Sequence, residues 1–197
     1  GYKGVVQFGL IIRDPSFADN PSVSTSESFE SDNNAGGTAS ALGLDSTSAI
    51  FTNITAVGPS FRATLTPVTT LASGHERALR LRRASQLKGY NSIFMDFKNN
   101  IVFVDGSLAV ANANANTLKF KNNIIAGIPD ATFTAGVNPV SLNSWFASNN
   151  NSYVNGSGTL LTKAYGTSSS DYLAGNLTAS PSNLDYRPGT AASTGAD

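Results

Sequence analysis

The 197-residue sequence has no cysteine and only one each of histidine, tryptophan and methionine. Without cysteine there are no disulfides, no thiolate nucleophile and no Cys-ligated zinc or iron–sulfur centre. The compartment stays open, because cysteine-free chains occur on both sides of a membrane. The lone histidine, His75, excludes a multi-histidine metal site and leaves a single imidazole for acid–base work. Charge is scarce as well. Asp, Glu, Lys and Arg make up 13% of residues, against about a quarter in ordinary domains. Thirteen basic and thirteen acidic residues cancel, so the chain lacks the basic excess with which nucleic-acid binders neutralise phosphates. The longest largely apolar run, Val5 to Ile12, is broken by Gln7 and is too short to span a bilayer. No Walker loop, GxSxG or HExxH occurs, so nucleotide hydrolysis, serine-esterase and zincin chemistry have no support.

Ser, Thr, Asn, Gly and Ala take the place of charge, giving a polar but nearly uncharged composition of the kind common in secreted β-proteins. Hydrophobic residues make up 40%, enough for the core of one domain spanning 1–197. They fall in short clusters rich in β-branched and aromatic residues, punctuated by Gly, Pro and Asn. These read as strands over Gly4–Arg13, Ala49–Val57, Arg77–Arg83, Tyr90–Phe97, Ile101–Val104, Leu118–Ile125, Ser152–Val154 and Thr159–Leu161. No window sustains a helical period, and "SLNSWFASNN" (Ser141–Asn150) has room for one short helical turn. The expected fold is all-β, with polar loop insertions at 21–41 and 107–117, the latter holding the small repeat "VANANANT" (Val110–Thr117).

A longer repeat underlies the strands. Asn53, Asn91, Asn122 and Asn151 each precede an apolar residue by one or two places, at intervals of 38, 31 and 29 residues. Such spacing suits a parallel β-solenoid whose stacked Asn side chains form a ladder at a corner, since Asn tolerates the left-handed conformation and its amide can bond its neighbours above and below. An antiparallel β-sandwich whose turns contain Asn fits the same pattern.

The ordered series "GYKGVVQFGLIIRDP" (Gly1–Pro15), "IFTNITAVGP" (Ile50–Pro59), "ALRLRRAS" (Ala78–Ser85), "GYNSIFMDFKNNIVFVDG" (Gly89–Gly106), "WFASNNNSYV" (Trp145–Val154) and "DYRPGTAASTGAD" (Asp185–Asp197) resembles the carboxy-terminal half of large secreted right-handed parallel β-helix proteins of the Bacteroidetes type, cargo of type IX secretion or surface lipoproteins. Arg13 stands where that family commonly has Gln, and "PGTAAST" departs from its usual ending. The resemblance implies a right-handed parallel β-helix, an extracellular or outer-surface location, and a chain corresponding to the last coils of a longer protein. It implies little about activity, because one fold hosts many functions.

Within that frame, "RALRLRR" (Arg77–Arg83) is the first candidate site. Leu79 and Leu81 alternate with Arg80 and Arg82, the period of a strand with one buried face. The arginines would line an anionic-ligand groove, supply the base of a β-helix polysaccharide lyase, or simply pair with acids such as Glu76 or Asp96 on a wet face. A glycoside hydrolase needs two opposed carboxylates, and Asp96 with Asp105, at the ends of neighbouring strands, is the best pair. His75, in "SGHERA", reads as an exposed turn before a strand. Among aromatics that could stack on sugar rings, Trp145 and Tyr153 lead, followed by Phe146, Tyr165, Tyr172 and Tyr186; the lone Trp145 better suits a plug over the last coils, where a solenoid must cover its open end. No metal site is assigned, although the loop "ESDNNAGG" (Glu30–Gly37) carries acids that could meet Ca2+ without the alternation of a known calcium loop. The expected role is a non-catalytic structural, adhesive or glycan-contacting module, with polysaccharide or other surface proteins as partners. The alternatives are a carbohydrate-active enzyme using Arg80, Arg82, Asp96 and Asp105, or a subunit of an outer-membrane surface assembly.

Overall fold

The structure, a computed structural model, describes residues 1–33, 46–60, 70–99, 102–127, 145, 148–154, 161–163 and 185–188. The apolar clusters do become strands, but most of them break in the middle. Gly4–Arg13 forms β1 (Val5–Gln7) and β2 (Leu10–Ile12), and Ala49–Val57 forms β4 (Ile50–Thr52) and β5 (Thr55–Val57). Likewise β7 (Lys88–Tyr90) precedes β8 (Ile93–Met95), and β10 (Lys119–Lys121) precedes β11 (Ile124–Ala126). β3 (Phe29–Ser31), β6 (Leu79–Arg82) and β9 (Val102–Asp105) follow the first three of these pairs.

Each of the first three repeats therefore adds one strand to each of three sheets, and the fourth adds one to the first and one to the second. The first sheet runs β1-β4-β7-β10, the third β3-β6-β9, and the second β2-β5-β8-β11, with β12 (Ser152–Val154) added beyond β11. All pairings in these sheets are parallel. The fold is mostly β with stacked parallel sheets, so the antiparallel sandwich does not describe them. The one antiparallel pair among the described residues joins β13 (Leu161–Lys163) to β14 (Asp185–Pro188).

The breaks lie at residues in the left-handed region. Phe8, Asn53, Asn91, Asn122 and Asn150 have φ of 59°, 55°, 49°, 55° and 55°. Asn accepts this conformation more readily than most side chains, which is why it recurs at the bend. One expectation is corrected here: the fourth member of this column is Asn150, not Asn151. Asn151 stands one place on, in a second column with Ile54, Ser92 and Asn123 that turns its side chains into the stack. Side chains of that column bond the main chain of the repeat before. Ser92 Oγ accepts from Ile54 N–H at 3.0 Å, Asn123 Oδ1 from Ser92 N–H at 3.0 Å, and Asn151 Oδ1 from Asn123 N–H at 3.0 Å. Both columns are ladders, and Asn150 Nδ2 donates to Asn122 Oδ1 at 3.0 Å in the outer one.

The core lies between the sheets. In-register positions Ile11, Ala56, Phe94 and Ile125 face it from the second sheet, while Leu79, Leu81, Val102 and Val104 face it from the third. Aromatic rings tie the sheets together, with Phe29 and Phe51 centroids 4.8 Å apart and Phe94 and Phe120 5.4 Å apart. Gly89, in register with Phe120, leaves the space that this ring fills: a Cβ there would lie 3.1 Å from Phe120 Cδ2. A second buried cluster of Val57, Met95, Ala126 and Leu161 covers the outer side of the second sheet.

The insertion expected at 107–117 is not a plain loop: Ser107–Asn114 forms the helix α1. Ala109 and Ala113, four residues apart, are its buried face, and Asn112 Nδ2 donates to the Ala84 and Ser85 carbonyls at 2.9 and 3.2 Å. Alanine, the best helix former, outweighs the interspersed asparagines once these contacts are available. Of the other expected insertion, residues 34–41 lie outside the described residues.

Candidate functional site

β6 places its side chains as the alternation requires. Leu79 and Leu81 are fully buried and Arg80 and Arg82 stand on the outer face of the third sheet. Parallel register sets Glu30 of β3 beside Arg80, and Arg82 beside Asp105 of β9. The result is a ladder of alternating charge. Arg80 donates from Nε and Nη2 to Asp105 Oδ2 at 3.1 and 2.9 Å, and Arg82 Nη1 donates to Glu30 Oε1 at 2.9 Å. Arg83 bonds Asp32 at 2.8 Å, and Arg77 bonds Glu27 at 3.1 Å and Glu76 at 3.3 Å while its guanidinium lies 4.7 Å from the Phe103 ring centre. Every arginine of the cluster is thus ion-paired.

The electrostatics follow. The hydrogen bond to Glu30, outweighing partial burial, raises the Arg82 pKa above its already high ordinary value, helped by Asp32, Glu30 and Asp105. A lyase base needs the opposite shift, toward neutral pH. Burial is the largest influence on Glu27 and raises its carboxyl above the usual range, against the Thr25 hydrogen bond and Arg77. The ladder consists of charge-assisted hydrogen bonds on a partly exposed face, each contributing about 0.2–1 kcal/mol.

The two suspected carboxylates are not brought together. Asp105 is committed to Arg80 on the third sheet. Asp96 follows β8, in the second sheet, and is buried at a corner with φ of 60°. Its N–H donates to Ala126 O at 3.0 Å, and its carboxylate lies so close to Gly127 that a Cβ there would come within 1.9 Å of Oδ1.

His75 is the clearest correction. It is not in an exposed turn but is 2% exposed, and it pairs in parallel with Ser26. Its Nε2 lies 2.8 Å from Asp14 O; a carbonyl only accepts, so Nε2 carries the proton. Burial lowers its pKa, opposed by that hydrogen bond. The ring is a fastener between the chain after β2 and the chain before β6.

Trp145 is half-buried against the main core, as a plug would be, and its carbonyl accepts from Asn149 Nδ2 at 2.6 Å. Tyr153 pairs with Ile125 through β12, and its side chain lies outside the described residues, as do Phe146, Tyr165, Tyr172 and the Tyr186 side chain. Of the suggested calcium loop, Glu30 and Asp32 serve the arginines, Asn33 Oδ1 accepts from Thr47 N–H at 2.6 Å, and 34–37 lie outside the described residues. Among the described residues no three His, Asp or Glu side chains gather as a metal site would, and no helix is long and apolar enough to cross a membrane.

Sequence reasoning missed Glu27, Glu30, Asp32 and Asp105 as the arginines' partners. Glu30 and Arg82 are 52 residues apart, and only the sheet register joins them. Compared with known proteins, the chain matches no family model, no curated protein and no solved structure.

Proposed function

We propose that this chain is a non-catalytic module of a right-handed parallel β-helix, working at the outer cell surface or beyond it as a structural, adhesive or glycan-contacting element. The observation that carries this reading is the ion-pair ladder. Arg80 and Arg82, the residues best suited to act on an anionic sugar, are occupied by Glu30 and Asp105, and Asp96 stands on another sheet. A surface built from Ser, Thr, Asn and Gly with little net charge supports a location outside the cell. The stacking of one strand per repeat into parallel sheets supports the solenoid.

The test is a screen of the purified protein against neutral and uronate polysaccharides, with and without Ca2+, following both retention and the ultraviolet absorbance of new unsaturated ends. Retention without product is the expected result. Product that disappears in Arg80→Ala or Arg82→Ala would make the protein a lyase and overturn the reading.

One observation favours the second reading, a subunit of a surface assembly. Among the described residues β1, β2 and β3 pair on one side only, and the same repeat exposes most of the large hydrophobic side chains that those residues expose. Apolar, unpaired sheet edges are sites of association.

A further inference from the structure

The third sheet sets acid beside base at each charged step. The first sheet does not. On its outer face the in-register columns are Val5, Ile50, Lys88 and Lys119, and Gln7, Thr52, Tyr90 and Lys121. Their direction follows from what lies between them, since Phe120 is wholly buried in the core and Lys119 and Lys121 on either side are half-exposed. Lys119 therefore lies directly beside Lys88 on the neighbouring strand, with Lys121 two residues along and beside Tyr90. Adjacent strands are about 4.8 Å apart, well inside the screening length of about 8 Å at physiological salt. Like charges directly opposite in a sheet are destabilising. Among the described residues no carboxylate makes an ion pair with any of these three lysines, and neither column contains an acid.

Lys88 sits where its charge is disfavoured. Burial, and then the Lys119 charge, lower its pKa, and its Nζ turns toward the Ser48 and Gln86 carbonyls at 3.4 Å each. A chain that matches charges on one sheet and opposes like charges on another keeps a local conflict, and such conflicts mark functional positions.

We propose that Lys88, Lys119, Lys121 and Tyr90 form a binding face for a uronate-type anionic polysaccharide, a claim that rests on the glycan-contacting reading above. A flat β-face with cations on adjacent strands meets carboxylates repeated along a polymer, and the half-exposed Tyr90 ring beside Lys121 offers a surface for the apolar side of a sugar. Nucleic acid fits less well, because the chain has no net positive charge to sustain phosphate contacts.

The experiment is affinity electrophoresis of the whole chain through gels containing polygalacturonate or a neutral glucan, at low and high salt, with anionic phospholipid vesicles as a separate arm. Wild type is retained by polygalacturonate, and salt relieves the retention. Lys119→Gln with Lys121→Gln weakens retention about tenfold, Lys119→Arg preserves it, and Arg82→Gln leaves it unchanged. Lys119→Glu carries a second readout. By pairing with Lys88 it raises the melting temperature while abolishing retention, which a lysine kept only for structure would not do.

Retention by polygalacturonate that survives the double Gln variant overturns the lysine face and leaves the glycan-contacting reading standing. Retention by the neutral glucan alone does the same. Equal capture by vesicles makes the face a general polyanion attractor and overturns the sugar assignment. Retention by neither polymer overturns the proposal and the glycan-contacting reading together.

Discussion

At the bend between the first two sheets, Asn53, Asn91, Asn122 and Asn150 do different work from their neighbours one place on. Asn91 supplies conformation: its φ is 49°, and the left-handed region disfavours a Cβ by roughly 1–2 kcal/mol. Asn91→Ala should therefore lose about 1 kcal/mol while Asn91→Gly stays near wild type, measured by urea unfolding. Asn123 supplies hydrogen bonds instead, accepting from Ser92 N–H and donating to Gly89 O and Asn151 Oδ1. Asn123→Ala leaves buried polar groups unpaired and should lose about 1–3 kcal/mol, with glycine at 123 no better. Equal losses for Ala and Gly at position 91 would remove the conformational account. His75 gives a pH-dependent counterpart. Its folded pKa lies below the ordinary 6.5 because burial disfavours the imidazolium, with Arg13 and Lys98 acting in the same sense and Asp14 against. Between the folded and unfolded values the unfolded chain binds more protons, so stability rises with pH through that window. The margin of wild type over His75→Gln should be full above about pH 6.5 and shrink as the pH falls below it. Equilibrium unfolding of both proteins across that range checks this, and a margin that grows toward acid would contradict it. Sequence alone could not assign this histidine: "SGHERA" is locally a polar turn, and what buries the ring is the chain around Asp14 and Ser26.

Elements were legible in proportion to how much of their pattern is local. The Leu/Arg alternation of β6 is a property of four adjacent residues, so its buried and wet faces could be read directly and the structure bears them out. The Asn repeat was legible too, because corner chemistry is written in the residue itself. Its register was harder: "NNNS" offers three adjacent asparagines at 149, 150 and 151, and only the parallel pairing of Ile124 with Ser152 decides which of them bends the chain. Strand ends were misread for a related reason. A run such as "IFTNITAV" looks like one strand in one dimension, while the left-handed Asn53 splits it between two sheets. The helix α1 was hidden because "SLAVANAN" has almost no apolar stripe. Two buried alanines and the Asn112 amide bonded to the Ala84 and Ser85 carbonyls hold it in place, and those partners lie nearly thirty residues back. The candidate site divides the same way. The arginines were visible, but their neutralisation by Glu30, Asp32 and Asp105 depends on three strands meeting in register, as does the juxtaposition of Lys88 and Lys119.

For the molecule as a whole, burial is unequal along the stack. Positions of the second, third and fourth repeats in the second sheet, Val57, Met95 and Ala126, are fully buried, whereas their counterpart in the first repeat, Ile12, is 37% exposed. In the same repeat Tyr2, Val5, Phe8, Leu10 and Phe17 are each at least half exposed, and among the described residues β1 and β2 have no partner on their outer side. Apolar surface beside unpaired main-chain donors and acceptors favours association, and a chain of zero net charge has little long-range repulsion to oppose it. The purified chain should therefore self-associate as its concentration rises, with sedimentation velocity as the measure. Two leucines separate the edge from general hydrophobicity: Leu10, on β2, is 50% exposed, and Leu108, on α1, is 44% exposed. Each changed to Lys removes similar apolar area and adds the same charge, but only Leu10→Lys sets a cation on the open edge. Leu10→Lys should shift the association to markedly higher concentration while Leu108→Lys leaves it near wild type. Equal effects would mean that charge and total apolar surface, not the edge, govern contact between molecules, and the assembly reading would lose the observation that favours it.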